Sequence, residues 1–186
     1  ASADAITMDA SGNVTFPANA TCSGTATGFG VEGITMADQW RVHTSFDSYD
    51  TDVTTNWERN DTDFTLIGSG MTESSGIFTF PATGIYKIEW GISSFRMPSG
   101  ATLKNVGGYI YTTTNNSNYN IRAQVDNSIS TDNYASSAVY MNIIFDVTDT
   151  STHKVKFGVY AEDTMRFEGT SDRNTTHATF IRLGDT

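Results

Sequence analysis

The sequence predicts an all-β protein, an antiparallel jelly-roll β-sandwich with an extended N-terminal stem. Three observations lead there. Apolar residues recur at every second position in run after run, no segment keeps them at helical spacing over three turns, and turn residues punctuate the runs at fairly even intervals. Composition agrees. Charged residues make up only 17 % of the 186 and aromatics 12 %, so polarity comes from Thr, Ser and Asn, which suit strands and turns and sit poorly inside helices. With 16 glycines and three prolines the chain is neither collagen-like nor of low complexity. Its length fits one core with an extension.

Residues 1–37 stand apart from 38–186. The first stretch lacks Trp and Tyr, is rich in small residues and carries Gly24, Gly28, Gly30 and Gly33. Within it, Ile6 to Pro17 reads as two short strands around a Ser-Gly-Asn turn. Such a stem cannot bury enough apolar surface by itself and needs to pack on the main domain, on a partner or on copies of itself, so it reads as a tether. The body follows strand by strand. Trp40, Val42, Thr44 and Phe46 read as one strand with one buried face. Phe64, Leu66 and Ile67 lead into a Gly68-Ser69-Gly70 turn, and Ile77 to Phe80 ends where Pro81 stops the ladder. Gly84 opens a strand whose Tyr86, Ile88, Trp90 and Ile92 share a face. Tyr109–Tyr111, Asn120–Val125, Val139–Val147, Val155–Ala161 and Ala178–Leu183 complete nine or ten strands, the pattern of a sandwich or jelly roll.

A net charge of −10 repels phosphate backbones, which argues against nucleic acid as a partner. No apolar stretch approaches the length of a membrane span, so no membrane partner is expected. Cys22 is the only cysteine and can form no intrachain disulfide. The chain starts without the basic and apolar regions of a secretory leader, so the expectation is an extracellular route other than classical secretion, such as assembly into a virion. His43, His153 and His177 fall in separate segments with no zinc-type spacing, and no Gly-x-Ser-x-Gly elbow occurs. Glu73, Glu89 and Glu162 qualify as hydrolytic acids by residue type alone. No catalytic residue and no cofactor is therefore expected.

Two features invite a binding role. Asp47, Asp50 and Asp52, like Asp61 and Asp63, read as oxygen-rich acidic loops, the residue type calcium prefers, although neither stretch has an EF-hand frame and solvated turns are the ordinary outcome. Tyr109, Tyr111, Asn115, Asn116, Asn118 and Tyr119 read as a polar hairpin tip flanked by tyrosines, a mix suited to adaptable recognition and sugar stacking. Cross-strand packing is the alternative use of those tyrosines.

Gly76, Phe78, Pro81, Gly84 and Tyr86 fall in a Gly-x-Phe-Thr-x-Pro-x-x-Gly-x-Tyr run, with Phe80 on the same strand face as Phe78 and an apolar closing strand around Phe180. This run resembles the signature corner of C1q/TNF-type jelly rolls, and the likeness extends from about Trp40 to Leu183. The resemblance implies a homotrimer and no catalytic residue. The Met8–Pro17 phrase resembles attachment segments of phage tail fibres, and Asp38–Val42 with Asn56–Arg59 is similar to C1q-like domains in structural proteins of marine tailed phages. These likenesses imply a non-enzymatic virion protein, a fibre, knob or decoration module. Its stem would hold another virion protein and its knob would touch host-surface glycans. The competing readings are a secreted carbohydrate-binding or cytokine-like module and, third, a glycan hydrolase.

Overall fold

The computed structural model describes residues 7–12, 14–15, 33–64, 66–95, 105–130, 132 and 134–186. Cys22 and most of the stem lie outside the described residues. The chain divides into two compact units, Ala1–Gly33 and Ile34–Thr186. In the first, β1 (Thr7–Met8) pairs antiparallel with β2 (Val14–Thr15). The connecting turn is closed by Asp9, whose carbonyl accepts from the Gly12 amide at 3.0 Å and whose carboxylate accepts from the Ser11 amide at 2.9 Å.

The second unit is antiparallel throughout. Its strands are β3 (Ala37–Val42), β4 (Phe46–Asp52), β5 (Trp57–Arg59), β6 (Leu66–Ile67), β7 (Thr72–Ser74), β8 (Ile77–Thr79), β9 (Gly84–Phe95), β10 (Asn105–Thr113), β11 (Asn120–Ser128), β12 (Ser136–Val147), β13 (Lys154–Phe167) and β14 (His177–Gly184). One layer runs β12-β9-β14-β3, with β5 and β6 sharing the far edge of β3. The other runs β11-β10-β13, with β4 and β8 sharing the far edge of β13 and β7 outside β8. The layers join at a corner where Arg166 and Phe167 at the end of β13 pair with Phe95 and Ser94 of β9.

Alternation explains the burial. Tyr86, Ile88, Trp90 and Ile92 all point inward from β9, and Val155, Phe157 and Val159 meet them from β13. The Trp90 and Phe157 rings lie 4.9 Å apart, and Phe78 of β8 reaches Trp57 at 4.9 Å and Phe180 at 5.2 Å. Burying each such ring is worth about 2–3 kcal/mol. At the signature corner, Tyr86 turns under the core and its hydroxyl donates to the Ala82 carbonyl at 2.9 Å. Gly76 has φ 80° with Val53 O only 2.4 Å from where a Cβ would stand, so no other residue fits there.

The structure corrects the reading in three places. Trp40 to Phe46 is two strands in different layers, because β3 ends at Val42 and β4 starts at Phe46 against Phe167. The alternation runs on across the break since Val42 and Phe46 each face inward from their own sheet. The acidic run Asp47–Asp52 belongs to strand β4, not to a loop, because cations on β13 match its outward acids. Among the described residues the sandwich accordingly has twelve strands, not nine or ten.

Candidate functional site

Among the described residues no group of three or more His, Cys, Asp or Glu converges to hold a metal. What the fold does build is two outward sheet faces of different character.

The outer face of the β12-β9-β14-β3 layer is set by register. Ile144, Lys87, Ile181 and Ala37 form one row across it, Asn142, Glu89, Thr179 and Gln39 the next, and Tyr140, Gly91, His177 and Arg41 the third. Tyr140 and Ile144, on the edge strand β12, are 51 % and 59 % exposed, a large apolar display for an outer sheet face. Between them, Lys87 pairs with Glu89 at 2.5 Å and the Tyr140 hydroxyl hydrogen-bonds to the Glu89 carboxylate. Burial works to raise the Glu89 carboxyl, and hydrogen bonds from Lys87 and Tyr140 outweigh it, holding the group below its ordinary range. Burial and the same contact push the Tyr140 hydroxyl up. A depression of about 230 Å³ lies beside Tyr140 and His177, floored by Gly91 and Ile92. At the margin Arg41 is fully buried, donating to Glu58 at 2.9 Å, Asn60 at 3.0 Å and Asp61 at 2.7 Å.

The outer face of the β11-β10-β13 layer carries the tyrosines. Tyr109 and Tyr111 sit two apart on β10 with ring centroids 5.6 Å apart, and Tyr160 of β13 lies 6.1 Å from Tyr109. Lys156 Nζ stands 4.9 Å from the Tyr111 ring and 5.0 Å from that of Tyr119, and binds Asp52 at 2.5 Å. Burial first, then Asp52, Tyr109 and Asp50, push the Tyr111 hydroxyl up to about 12. The Tyr119 hydroxyl is buried with no hydrogen-bond partner among the described residues.

The hairpin residues singled out from the sequence thus separate into two groups. Tyr111 and Tyr119 flank Lys156 and Tyr109 lies beside Tyr111, whereas Asn115, Asn116 and Asn118 form a self-bonded tip. Asn115 Oδ1 accepts from the Thr113 hydroxyl, the Ser117 amide and hydroxyl and the Asn118 amide, at 2.8–3.1 Å. The Asn116 amide donates to the Thr152 carbonyl at 2.9 Å. The acceptor of Asn115 is therefore occupied by its own loop.

No protein-family model matches the chain, and no curated protein matches it in sequence. Solved structures match it in shape. Murine APRIL at pH 5.0 superposes with a TM-score of 0.60 over 80 % of this chain and 98 % of its own, at 13 % identity. Eiger TNF from S. frugiperda gives 0.61 over 83 % and 96 %, also at 13 % identity. The fold is that of the TNF-like jelly rolls. At such identity the likeness carries the fold alone.

The TNF-like sandwich scatters the residues that sequence suggested for chemistry. Glu73 on β7 accepts from the Gly76 amide at 2.6 Å and serves the turn. Glu89 is held ionised, the wrong state for an acid that must protonate a leaving group. Asp47 is bound by Arg166 at 2.8 Å and Asp52 by Lys156, so two of the three calcium candidates already have cations. The ring nitrogens of His153 contact the hydroxyls of Thr148 at 3.3 Å and Thr152 at 3.1 Å, and the ring lies 5.6 Å from that of Phe145. Sequence reading missed Tyr140 and Ile144 as exposed. Their place in the alternation of β12 was visible, but which parity faces the core depends on the sheet that covers it.

Proposed function

We propose that this chain is a non-enzymatic binding head that works as a homotrimer, assembled through the outer face of the β12-β9-β14-β3 layer. The observation that carries the reading is Tyr140 and Ile144 exposed on the outer face of β12, the edge strand of its layer, in a TNF-like sandwich. A face of that composition is stabilised by covering it, at roughly 25 cal/mol per Å² of apolar area removed from water. Trimer geometry then places three copies of every peripheral site on one particle, and avidity multiplies weak contacts.

The first setting is a cytokine-like module acting outside cells, in keeping with the names APRIL and Eiger TNF carried by solved structures of the same fold, with a secreted carbohydrate-binding module as its variant. A second setting, a virion appendage whose stem holds another virion protein, is favoured by the Met8–Pro17 phrase, in which β1 and β2 pair around the Asp9–Gly12 turn.

Light scattering on the intact chain and on a version starting at Ile34 tests the assembly. The start belongs there and not at Ala37, because Met36 is buried in the core and its carbonyl accepts from the Arg182 amide at 3.0 Å. A trimer in both, converted to a folded monomer by Ile144→Asp, is the expected result. Monomers of the intact chain at all concentrations would sink the reading.

A further inference from the structure

The tyrosine face has a construction that self-association through the opposite layer does not use. Register places Tyr109 opposite Gly158 and Gly107 opposite Tyr160, so tyrosines and glycines alternate diagonally between β10 and β13. A Cβ at Gly158 would stand 3.0 Å from Tyr111 Cε2 and 3.2 Å from Tyr109 Cδ2. The edges of both rings therefore lean over the Gly158 backbone, with the ring planes tilted 53° to each other and that of Tyr160 tilted 59° to Tyr109. All three tyrosines keep partial exposure.

Acceptors rim this floor. Asp50 on β4 pairs with Tyr160, Asp126 on β11 pairs with Gly107, and both acids are exposed. The Asp126 carboxylate lies over Gly107, with Oδ1 2.5 Å from the site of a Cβ, and Gln124 next to it donates to Asp126 at 3.4 Å. Asp50 and Asp126 both act on the Tyr109 hydroxyl, adding to the upward push of burial. The nearby cation is not available to a ligand, because Lys156 is bound to Asp52 and enclosed by Tyr111 and Tyr119.

We propose that this face binds an uncharged saccharide, whose ring packs its C–H side on Tyr109 and Tyr160 while its hydroxyls donate to Asp50 and Asp126. Each half of that statement has a physical reason. A pyranose is amphipathic in the way a tyrosine ring is, apolar on one face and polar at the edge. Ionised carboxylates only accept hydrogen bonds, and they match hydroxyl donors. Charge decides the class. A rim of Asp50 and Asp126 on a chain of net charge −10 repels sulfated and uronic saccharides, so the occupant is neutral. The proposal rests on the reading of the chain as a binding head but not on its trimer contact, which lies on the other layer.

Affinity electrophoresis of the full chain tests it, in gels carrying mannan, galactan, a soluble β-glucan or chitin oligomers, with heparin as the anionic comparison. Retardation by at least one neutral saccharide and none by heparin is expected. Asp126→Asn and Tyr109→Ala should each weaken retardation about tenfold, the scale of one stacked ring or one charged hydrogen bond. Asp126 is exposed and Asn nearly isosteric, so that variant reports on binding even where Tyr109→Ala loosens the sheet. No retardation in any of the four neutral gels overturns the proposal, as does retardation unchanged by Asp126→Asn or preference for heparin. Light scattering on the same samples separates the two readings. Trimers that fail to bind sink only the saccharide site, and monomers that bind support the site while sinking the assembly.

Discussion

The Tyr86 hydroxyl donates to the carbonyl of Ala82 at 2.9 Å, tying the first turn of β9 back to the corner it has just left. The ring is fully buried, while Ala82 is exposed, so water can take over the carbonyl if the hydroxyl is removed. Tyr86→Phe should therefore cost the net worth of this hydrogen bond and of the one with Arg182, about 1–2 kcal/mol together. Urea unfolding should show a lower midpoint with an unchanged slope.

Asp38 is the opposite case. Its carboxylate is fully buried and accepts from the Met71 amide at 2.7 Å, Trp40 Nε1 at 2.9 Å and Arg59 Nε at 3.1 Å. Truncation to Ala leaves the Met71 amide and Trp40 Nε1 without their acceptor, while Arg59, 34 % exposed, keeps the Met71 carbonyl and the Trp40 ring 4.6 Å away. Leaving buried donors unsatisfied in this way costs about 1–3 kcal/mol each. Asp38→Ala should lower the unfolding midpoint further than Tyr86→Phe does, and a cost under about 1 kcal/mol would mean the network contributes little.

Gly76→Ala should be as damaging as a core truncation despite adding a single methyl. Val53 O and Thr54 Cα would lie 2.4 and 2.8 Å from the new Cβ, and the backbone is left-handed at φ 80°. Both neighbours are main chain and cannot rotate aside. A loss of more than about 2 kcal/mol is expected from strain and clash together, read as a fall in thermal midpoint.

High pH should unfold the protein through its tyrosines. Tyr111 ionises near 10.0 when exposed and about 12 when folded, because burial and then Asp52 disfavour the phenolate. Across that interval the unfolded chain releases a proton that the folded chain retains, so it binds fewer protons and stability falls as pH rises. Below pH 10 the contribution is fully present. Near-ultraviolet titration should show a set of tyrosines ionising late and together with unfolding. Tyr111→Phe should make the decline in stability over that interval shallower.

What could be read beforehand follows from which interactions are local. The inward row Tyr86, Ile88, Trp90, Ile92 was plain, because period-two alternation on a long strand with one buried face is written in consecutive residues. Strand β4 was not, because its acids look like loop residues until Lys156 and Arg166 arrive from more than a hundred positions away. The tyrosines of β10 stood out by composition. Gly158, which leaves room for two of them to lean over its backbone, carries no signal of its own and gains one only through the register of β10 on β13. Asn115 shows the converse, since an asparagine free to bind and one bonded within its own turn look the same in a sequence.

Strand β14 lies between β9 and β3, so the last strand is the keystone of its layer. Phe180, at its centre, is fully buried against Phe78 and Phe157. On a ribosome, β3 and β9 emerge early and wait side by side with an empty lane between them until nearly the whole unit has been made. During that interval both expose hydrogen-bonding edges, the condition under which neighbouring nascent chains pair with each other instead of with themselves. Translation speed across the stretch before His177 should therefore change the yield of folded chain, an effect that a stability measurement on the finished fold does not register.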